Sequence, residues 1–163
     1  MTLGDHKKRN TGEVIAILPG SQAALGAANW IEDEWPGIPI IEWLRTPSPV
    51  LSEFPVVLGF SDTSDGSLLG CGALLLRDMD DRPDLDPWLG CLYVATSARR
   101  CGIARRLTQA LAERAQKMAI STLYLFCDPT LRAFYESEGW SSIEERSYEG
   151  KPCVVMARRI YEY

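Results

Sequence analysis

Apolar and polar positions alternate in short blocks along this chain, and each block reads as an element. "GEVIAILPG" is an apolar run closed by Pro19-Gly20, which predicts a first strand. "SQAALGAANWIEDEW" is helical, with Ser21 placed to cap it and Pro36-Gly37 to stop it. "PIIEWLRT" is a second short helix. "FPVVLGFS" and "SLLGCGALLLRD" are strands joined by the turn "DTSDG". After the polar stretch "DMDDRPDLDP" comes the buried strand "WLGCLYVA". From Ile103 the residues Ile103, Leu107, Leu111, Ala115 and Met118 mark one face of a helix running to about Ala119. "STLYLFC" is a strand. "DPTLRAFYESEG" is a helix with Asp128 as N-cap, Pro129 in the first turn and Gly139 just past the end. "SSIEERSYEG" and "KPCVVMARRI" form a hairpin turning at Glu149-Gly150. The order β-α-α-β-β-β-α-β-α-β-β predicts an α/β domain with a mixed sheet. Residues 1–10 read as a flexible polar tail.

Composition narrows the chemistry. The 163 residues suffice for one domain with a real core. A formal net charge of -5 argues against nucleic acid as a partner and suits a cationic one. The five cysteines form no CxxC pair, and the single histidine, His6, lies in the tail. No metal site is expected, nor a Ser-His-Asp or Cys-His centre. Counted as a calcium loop from Asp78, the acidic stretch has Pro83 where glycine is needed and Leu89 where glutamate is needed, so it reads as a solvated loop. The absence of a signal core, of a membrane-length apolar run and of a disulfide framework points to a cytoplasmic protein without a membrane partner, a monomer or homodimer.

One stretch does not fit a merely acidic chain. "YVATSARRCGIARRL" gathers Arg99, Arg100, Arg105 and Arg106 around Gly102, between a buried strand and the start of a long helix. Unpaired N–H groups and the positive dipole end at such a start favour phosphate oxygens. Gly102 leaves room for close backbone approach, Ala104 is nearly as small, and arginine adds charge-assisted bonds. Neither GxxxxGK[ST] nor GxGxxG is present.

The run Arg99-Arg100-Cys101-Gly102-Ile103-Ala104 resembles the R/Q-x-x-G-x-G/A signature of the GNAT superfamily of N-acetyltransferases. "AFYESEGW" is similar to that family's FYxxxGF pattern, with Trp140 in place of phenylalanine, and the "EGKPCVVMARRI" hairpin suits its last strands. The resemblance runs from about Val14 to Ile160 and is most specific from Trp88 to Trp140. It implies a GNAT-like domain over residues 11–163: a mixed, mostly antiparallel twisted sheet with splayed central strands, flanked by helices. It also implies acetyl-coenzyme A as co-substrate and a primary amine of a small molecule or peptide as acceptor. Leu92, Tyr93 and Val94 match the strand that pairs with the pantetheine arm. Arg99, Arg100, Cys101, Gly102, Ile103, Ala104 and Arg105 match the pyrophosphate loop. Tyr135 matches the tyrosine that protonates the departing thiolate, a reasonable transfer between a phenol of pKa about 10 and a thiol of about 8.5. Where many members carry a pantetheine-holding asparagine, this chain offers Asp128 and Thr130.

Plainer readings stand beside these. Gly102 could serve only a turn, Tyr135 could be a core aromatic, Asp128 could be only a cap, and Arg105 and Arg106 could be solvated helix residues. Cys101 lacks a histidine partner and reads as a filler. Trp30, Trp35 and Trp43 suit either core or acceptor wall. The strand "WLGCLYV" carries no acid, so the candidates for a base or an acceptor contact are Asp84, Asp86, Glu32 and Glu34. Two other function classes remain in view: a non-catalytic coenzyme A-binding or sensing domain, and an interaction domain that binds acidic partners through its arginines.

Overall fold

The computed structural model describes residues 11–48 and 52–160. The expected tail over residues 1–10, with His6, lies outside the described residues. The elements are β1 (Gly12–Ala16), α1 (Gln22–Glu34), α2 (Ile40–Arg45), β2 (Val56–Asp62), β3 (Leu68–Leu75), β4 (Trp88–Val94), α3 (Ile103–Lys117), β5 (Thr122–Cys127), α4 (Arg132–Ser137), β6 (Ser141–Tyr148) and β7 (Lys151–Arg159). Their order is the one the sequence predicts. The seven strands form one mostly antiparallel open sheet in the order β1-β2-β3-β4-β5-β7-β6. β1 runs antiparallel to β2, and β7 antiparallel to both β5 and β6. β4 and β5 are parallel, and only the first residue of β4 enters their ladder, as the pair Trp88↔Tyr124.

Local chemistry explains the boundaries. Ser21 accepts a hydrogen bond from the Ala24 N–H at 3.1 Å and starts α1. The β6–β7 turn puts both Glu149 (φ 50°) and Gly150 (φ 77°) in the left-handed region, as a two-residue hairpin turn requires. α3 stops two residues short of the expected Ala119. Ala119 is itself left-handed (φ 58°), and the Ile120 N–H reaches back to the Ala115 carbonyl at 3.0 Å, closing the helix. The helix expected from Asp128 divides into a 3₁₀ turn over Pro129–Leu131 followed by α4. Asp128 caps that turn, accepting from the Thr130 N–H at 2.9 Å.

By internal contacts the chain comprises two compact units, one holding residues up to Ala73 with Cys91–Leu111, the other Leu74–Gly90 with Ala112 onward. In the first, α3 lies on β3. A Cβ at Gly70 would stand 3.1 Å from Ile103, 3.1 Å from the Tyr93 carbonyl and 3.2 Å from Leu107, and one at Gly72 would stand 2.9 Å from Leu111. Alternate strand positions face one way, and every fourth helical residue recurs on one side. The two glycines therefore clear a groove for Ile103, Leu107 and Leu111, all buried. In the second unit β7 buries Cys153–Met156 as a continuous run. Trp88 is fully buried, with its indole N–H donating to the Leu85 carbonyl at 2.8 Å.

Alanine scanning of glycines should separate two effects. Gly70→Ala should lower stability by about 1–3 kcal/mol, because neither the helix nor the Tyr93 carbonyl can retreat freely. Gly26→Ala, inside α1 and with nothing nearer than Leu68 at 3.9 Å, should raise it by about 0.5–1 kcal/mol. Thermal or denaturant melts of the two variants provide the check, and equal signs would contradict the groove.

Candidate active site

The first unit contributes the end of β4 and the arginine-rich turn. Cys91 adopts φ 54°, unusual for a residue without glycine's freedom, and so interrupts the regular pleat just before Leu92, Tyr93 and Val94. These three are half-buried. Behind the strand Cys71 sits 3.7 Å from the Cys91 carbonyl, and burial pushes its thiol up to about 12, which makes it inert. The Tyr93 ring lies 5.1 Å from Trp30 of α1, so Trp30 flanks the strand that carries the candidate site. Trp35 is exposed and Trp43 half-buried.

The turn after β4 passes through a 3₁₀ segment, Thr96–Ala98, before α3. Arg100 (φ 63°) and Gly102 (φ 77°) are both left-handed. A Cβ at Gly102 would meet nothing within 4 Å, so the backbone there faces open space. The first intrahelical bond of α3 runs from the Arg106 N–H to the Gly102 carbonyl at 3.1 Å. The N–H groups of Ile103 and Ala104 precede it and point toward the turn. Ile103 is buried and anchors the helix start, while Arg100 and Arg105 are exposed and Cys101 and Ala104 half-buried. An open glycine, amide groups ahead of a fifteen-residue helix and the exposed Arg100 and Arg105 make a fit for an anionic group such as pyrophosphate.

The four arginines do different work. Arg99 donates to the Val94 carbonyl at 2.9 Å and stacks on Tyr93 at 5.5 Å, bracing the turn against the strand it leaves. Arg106 is not simply solvated. It lies 4.7 Å from the Phe60 ring and donates to the Gly12 carbonyl at 3.2 Å. Sequence spacing gives no hint of either contact, because Gly12 and Phe60 are far away along the chain.

The second unit carries Tyr135 on α4. It is buried, with Phe134 and Trp140 packed edge-on at 5.0 and 6.2 Å. Burial, with nearby Cys127 adding to it, pushes the phenol well above its ordinary value, so the hydroxyl keeps its proton at neutral pH. Asp128 and Thr130 are exposed and bonded to each other: the Thr130 hydroxyl and N–H both donate to one Asp128 oxygen, at 2.8 and 2.9 Å. These bonds hold the Asp128 carboxyl below its usual range.

The base candidates are differently situated from what the sequence suggests. Arg82 grips Asp84 with two bonds of 3.0 Å, holding its carboxyl low. Asp86 pairs with Arg77 at 2.9 Å. Glu32 lies 3.9 Å from Arg45, and Glu34 is exposed. The acid that sequence reading passed over is Asp78. It is packed against β4, where a Cβ on Gly90 would stand 2.7 Å from its carboxylate oxygen, and burial followed by the neighbouring Asp80 charge pushes its carboxyl up to about 7. The available signal was Met79 and Leu85, apolar residues inside the acidic stretch that are both buried and draw it inward.

The model of the acetyltransferase (GNAT) family matches residues 25–140, well over half of the chain. The chain belongs to that family, N-acetyltransferases that use acetyl-coenzyme A as co-substrate. No curated protein matches it in sequence. Among solved structures, an aminoglycoside 6'-N-acetyltransferase complexed with coenzyme A is similar at 16% identity and TM-score 0.71, over 93% of this chain and 98% of that one. The ribosomal-protein-S18-alanine N-acetyltransferase from Escherichia coli is similar at 18% identity and TM-score 0.64, over 93% and 96%. An acyl-CoA N-acyltransferase from Pseudomonas aeruginosa is similar at 19% identity and TM-score 0.64, over 90% and 97%. Identities at this level speak for the shared fold. Among the described residues no helix is long and apolar enough to cross a membrane.

Two substitutions test the turn. Gly102→Val should weaken acetyl-coenzyme A binding at least about tenfold, since the branched side chain fills the open face of the backbone. Arg100→Ala should cost about 1.5–3 kcal/mol of binding if the guanidinium meets phosphate. Calorimetry with full and dephospho-coenzyme A separates pyrophosphate from the 3′-phosphate. Wild-type affinity in a variant with an unchanged melt would remove that residue from coenzyme binding.

Proposed function

We propose that this protein moves the acetyl group of acetyl-coenzyme A to a primary amine of a small molecule or peptide, by direct attack with both substrates bound. The observation that carries the reading is the turn Arg99–Ala104, an open left-handed glycine flanked by exposed arginines at the start of α3. Family membership supplies the reaction class. The acceptor class follows two structurally similar proteins, an aminoglycoside 6'-N-acetyltransferase and a ribosomal-protein-S18-alanine N-acetyltransferase. The formal charge of -5 suits an acceptor that arrives as a cation.

Each residue then has a task. Arg100 and Arg105, with the Gly102 backbone and the first amides of α3, hold the pyrophosphate. The backbone of Leu92, Tyr93 and Val94 pairs with the pantetheine arm, since β4 gives only its first residue to the β5 ladder. Bound acetyl-coenzyme A supplies the thioester carbonyl that the amine attacks. Backbone N–H near Val94 stabilises the oxygen of that carbonyl as it gains charge. Tyr135 keeps its proton because burial disfavours the phenolate, and delivers it to sulfur. Asp128 and Thr130 cap the turn before α4 and so fix the helix that carries Tyr135.

Thiol release from acetyl-coenzyme A, measured over an aminoglycoside, an alanine-initiated peptide and an arylalkylamine, tests the reaction. Coenzyme binding without turnover of any amine would favour the non-catalytic binding domain. Tyr135→Phe removes one hydroxyl and keeps the ring. It should lower single-turnover transfer by roughly 10²–10⁴-fold, the usual worth of a general acid. Affinity for acetyl-coenzyme A should change far less, because the hydroxyl matters once sulfur becomes negative. Full activity would take Tyr135 out of the mechanism. Matched losses of melting temperature and rate would make it a core aromatic.

A further inference from the structure

A cationic acceptor must lose a proton before its nitrogen can attack, and the acids that the sequence offers for this are neutralised or exposed. Asp84 and Asp86 are each paired with an arginine from their own loop. For Asp84 the Arg82 guanidinium stabilises the charged form and makes the carboxylate a weaker base. Glu32 shares its surroundings with Arg45, and Glu34 is solvated.

Asp78 differs in three ways. Among the described residues it has no cationic partner. It is half-buried, and its carboxylate and Leu75 of β3 both pack where a side chain on Gly90 of β4 would stand. It is also held in place: Arg82 bonds Glu144, Arg146 bonds Asp81, and the Asp80 N–H donates to the Tyr148 hydroxyl at 3.2 Å, so the loop is tied to β6 just after the acid. Gly90 is the enabling residue on β4. Any side chain there would occupy the carboxylate's position, since a Cβ would approach within 2.7 Å of it. The strand start that lacks an acid of its own thus receives one, at Gly90, from the loop before it.

We propose that Asp78 is the proton acceptor for the incoming amine, a catalytic carboxylate presented beside β4 through the gap left by Gly90. The inference rests on the acetyltransferase reading above. The transfer balances as follows. Asp78 takes one proton from the ammonium, which frees the nitrogen lone pair to form the N–C bond. The electron pair of the breaking C–S bond goes to sulfur, which takes the Tyr135 proton. The second nitrogen proton restores Tyr135, through solvent, and Asp78 returns its own proton to water.

The charged groups around Asp78 fix the direction of its pH dependence. Asp80 faces it from its own loop and opposes ionisation. Leu75 from β3 and Gly90 from β4 bring no charge. Arg77 and Arg82 on the loop, and Arg146 with Glu144 on β6, are engaged with other partners. With the carboxyl raised to about 7, the base form appears as pH rises through neutrality, so the rate should climb over that interval.

The test uses the full chain, the Asp78→Asn and Asp78→Glu variants, and three readouts. The first is the carboxyl ¹³C titration of aspartate-labelled protein, in which one resonance should titrate near pH 7 and vanish in the asparagine variant. The second is acetyl-coenzyme A affinity by calorimetry, which should stay within a few-fold of wild type in both variants. The third is thiol release with the amine panel and also with no amine, where water is the acceptor. Asp78→Asn should lower the rate constant roughly 10²–10⁴-fold and abolish the acid limb of the pH profile, and Asp78→Glu should recover part of the loss. Asp78 titrating in the ordinary carboxylate range overturns the proposal, as does an asparagine variant that keeps the acid limb and near-wild-type thiol release. A wild-type chain that fails to bind acetyl-coenzyme A overturns the acetyltransferase reading instead, whatever Asp78 does.

Discussion

The placement of α3 on the glycines of β3 is the constraint on which the candidate site depends. Ile103, Leu107 and Leu111 are buried there, and Ile103 is the first residue of the helix. Burying an aliphatic side chain is worth about 1.5–3 kcal/mol, so three of them contribute well above the cost of an unfavourable backbone angle. The turn before the helix contains such an angle at Arg100, where a left-handed residue costs about 1–2 kcal/mol. Packing wins that comparison. The turn is held in a shape that a free peptide would avoid, with Gly102 facing outward. Gly70 and Gly72 therefore serve the site although neither belongs to the turn.

Much of this was legible in the sequence because it is local. Helix and strand periods, the cap at Ser21, the hairpin at Glu149-Gly150 and the glycine in the arginine turn all depend on neighbours within a few residues. The family signature adds the same kind of information over six residues. What stayed hidden depends on distant contacts. Arg106 looks solvated until Gly12 and Phe60 are brought to it by β1 and β2. Arg99 also bonds the Val94 carbonyl and stacks on Tyr93, contacts that the spacing alone does not announce. Asp78 looks like one aspartate among several. Its character comes from burial against Gly90, and neither spacing nor composition records that.

The acidic loop illustrates the same division. Its five aspartates are equivalent by charge, yet three of them have an arginine: Asp81 with Arg146, Asp84 with Arg82, and Asp86 with Arg77. Pairs this exposed contribute about 0–1 kcal/mol each, so they are a weak source of stability. Their effect is positional. Two bonds cross to β6, from Arg82 to Glu144 and from Arg146 to Asp81, and they fix the loop just after Met79. The buried Met79 and Leu85 then set how deeply the segment sits.

Asp78 is costly to the fold above acid pH. Its folded-state pKa lies above the ordinary carboxylate value, so the native state holds a proton that the unfolded chain has released. The sign follows: the group costs nothing below about pH 4, and its cost grows as pH rises toward 7, where the half-buried carboxylate must ionise or remain protonated against solution. Asparagine would occupy nearly the same volume without that cost. Perturbed groups of this kind concentrate where chemistry needs them, because a base works best with a pKa near the working pH. The loop's ties to β6, the bare backbone at Gly90 and the lack of a cationic partner among the described residues are each explicable alone as packing or surface charge. Together they keep a half-buried proton acceptor beside β4.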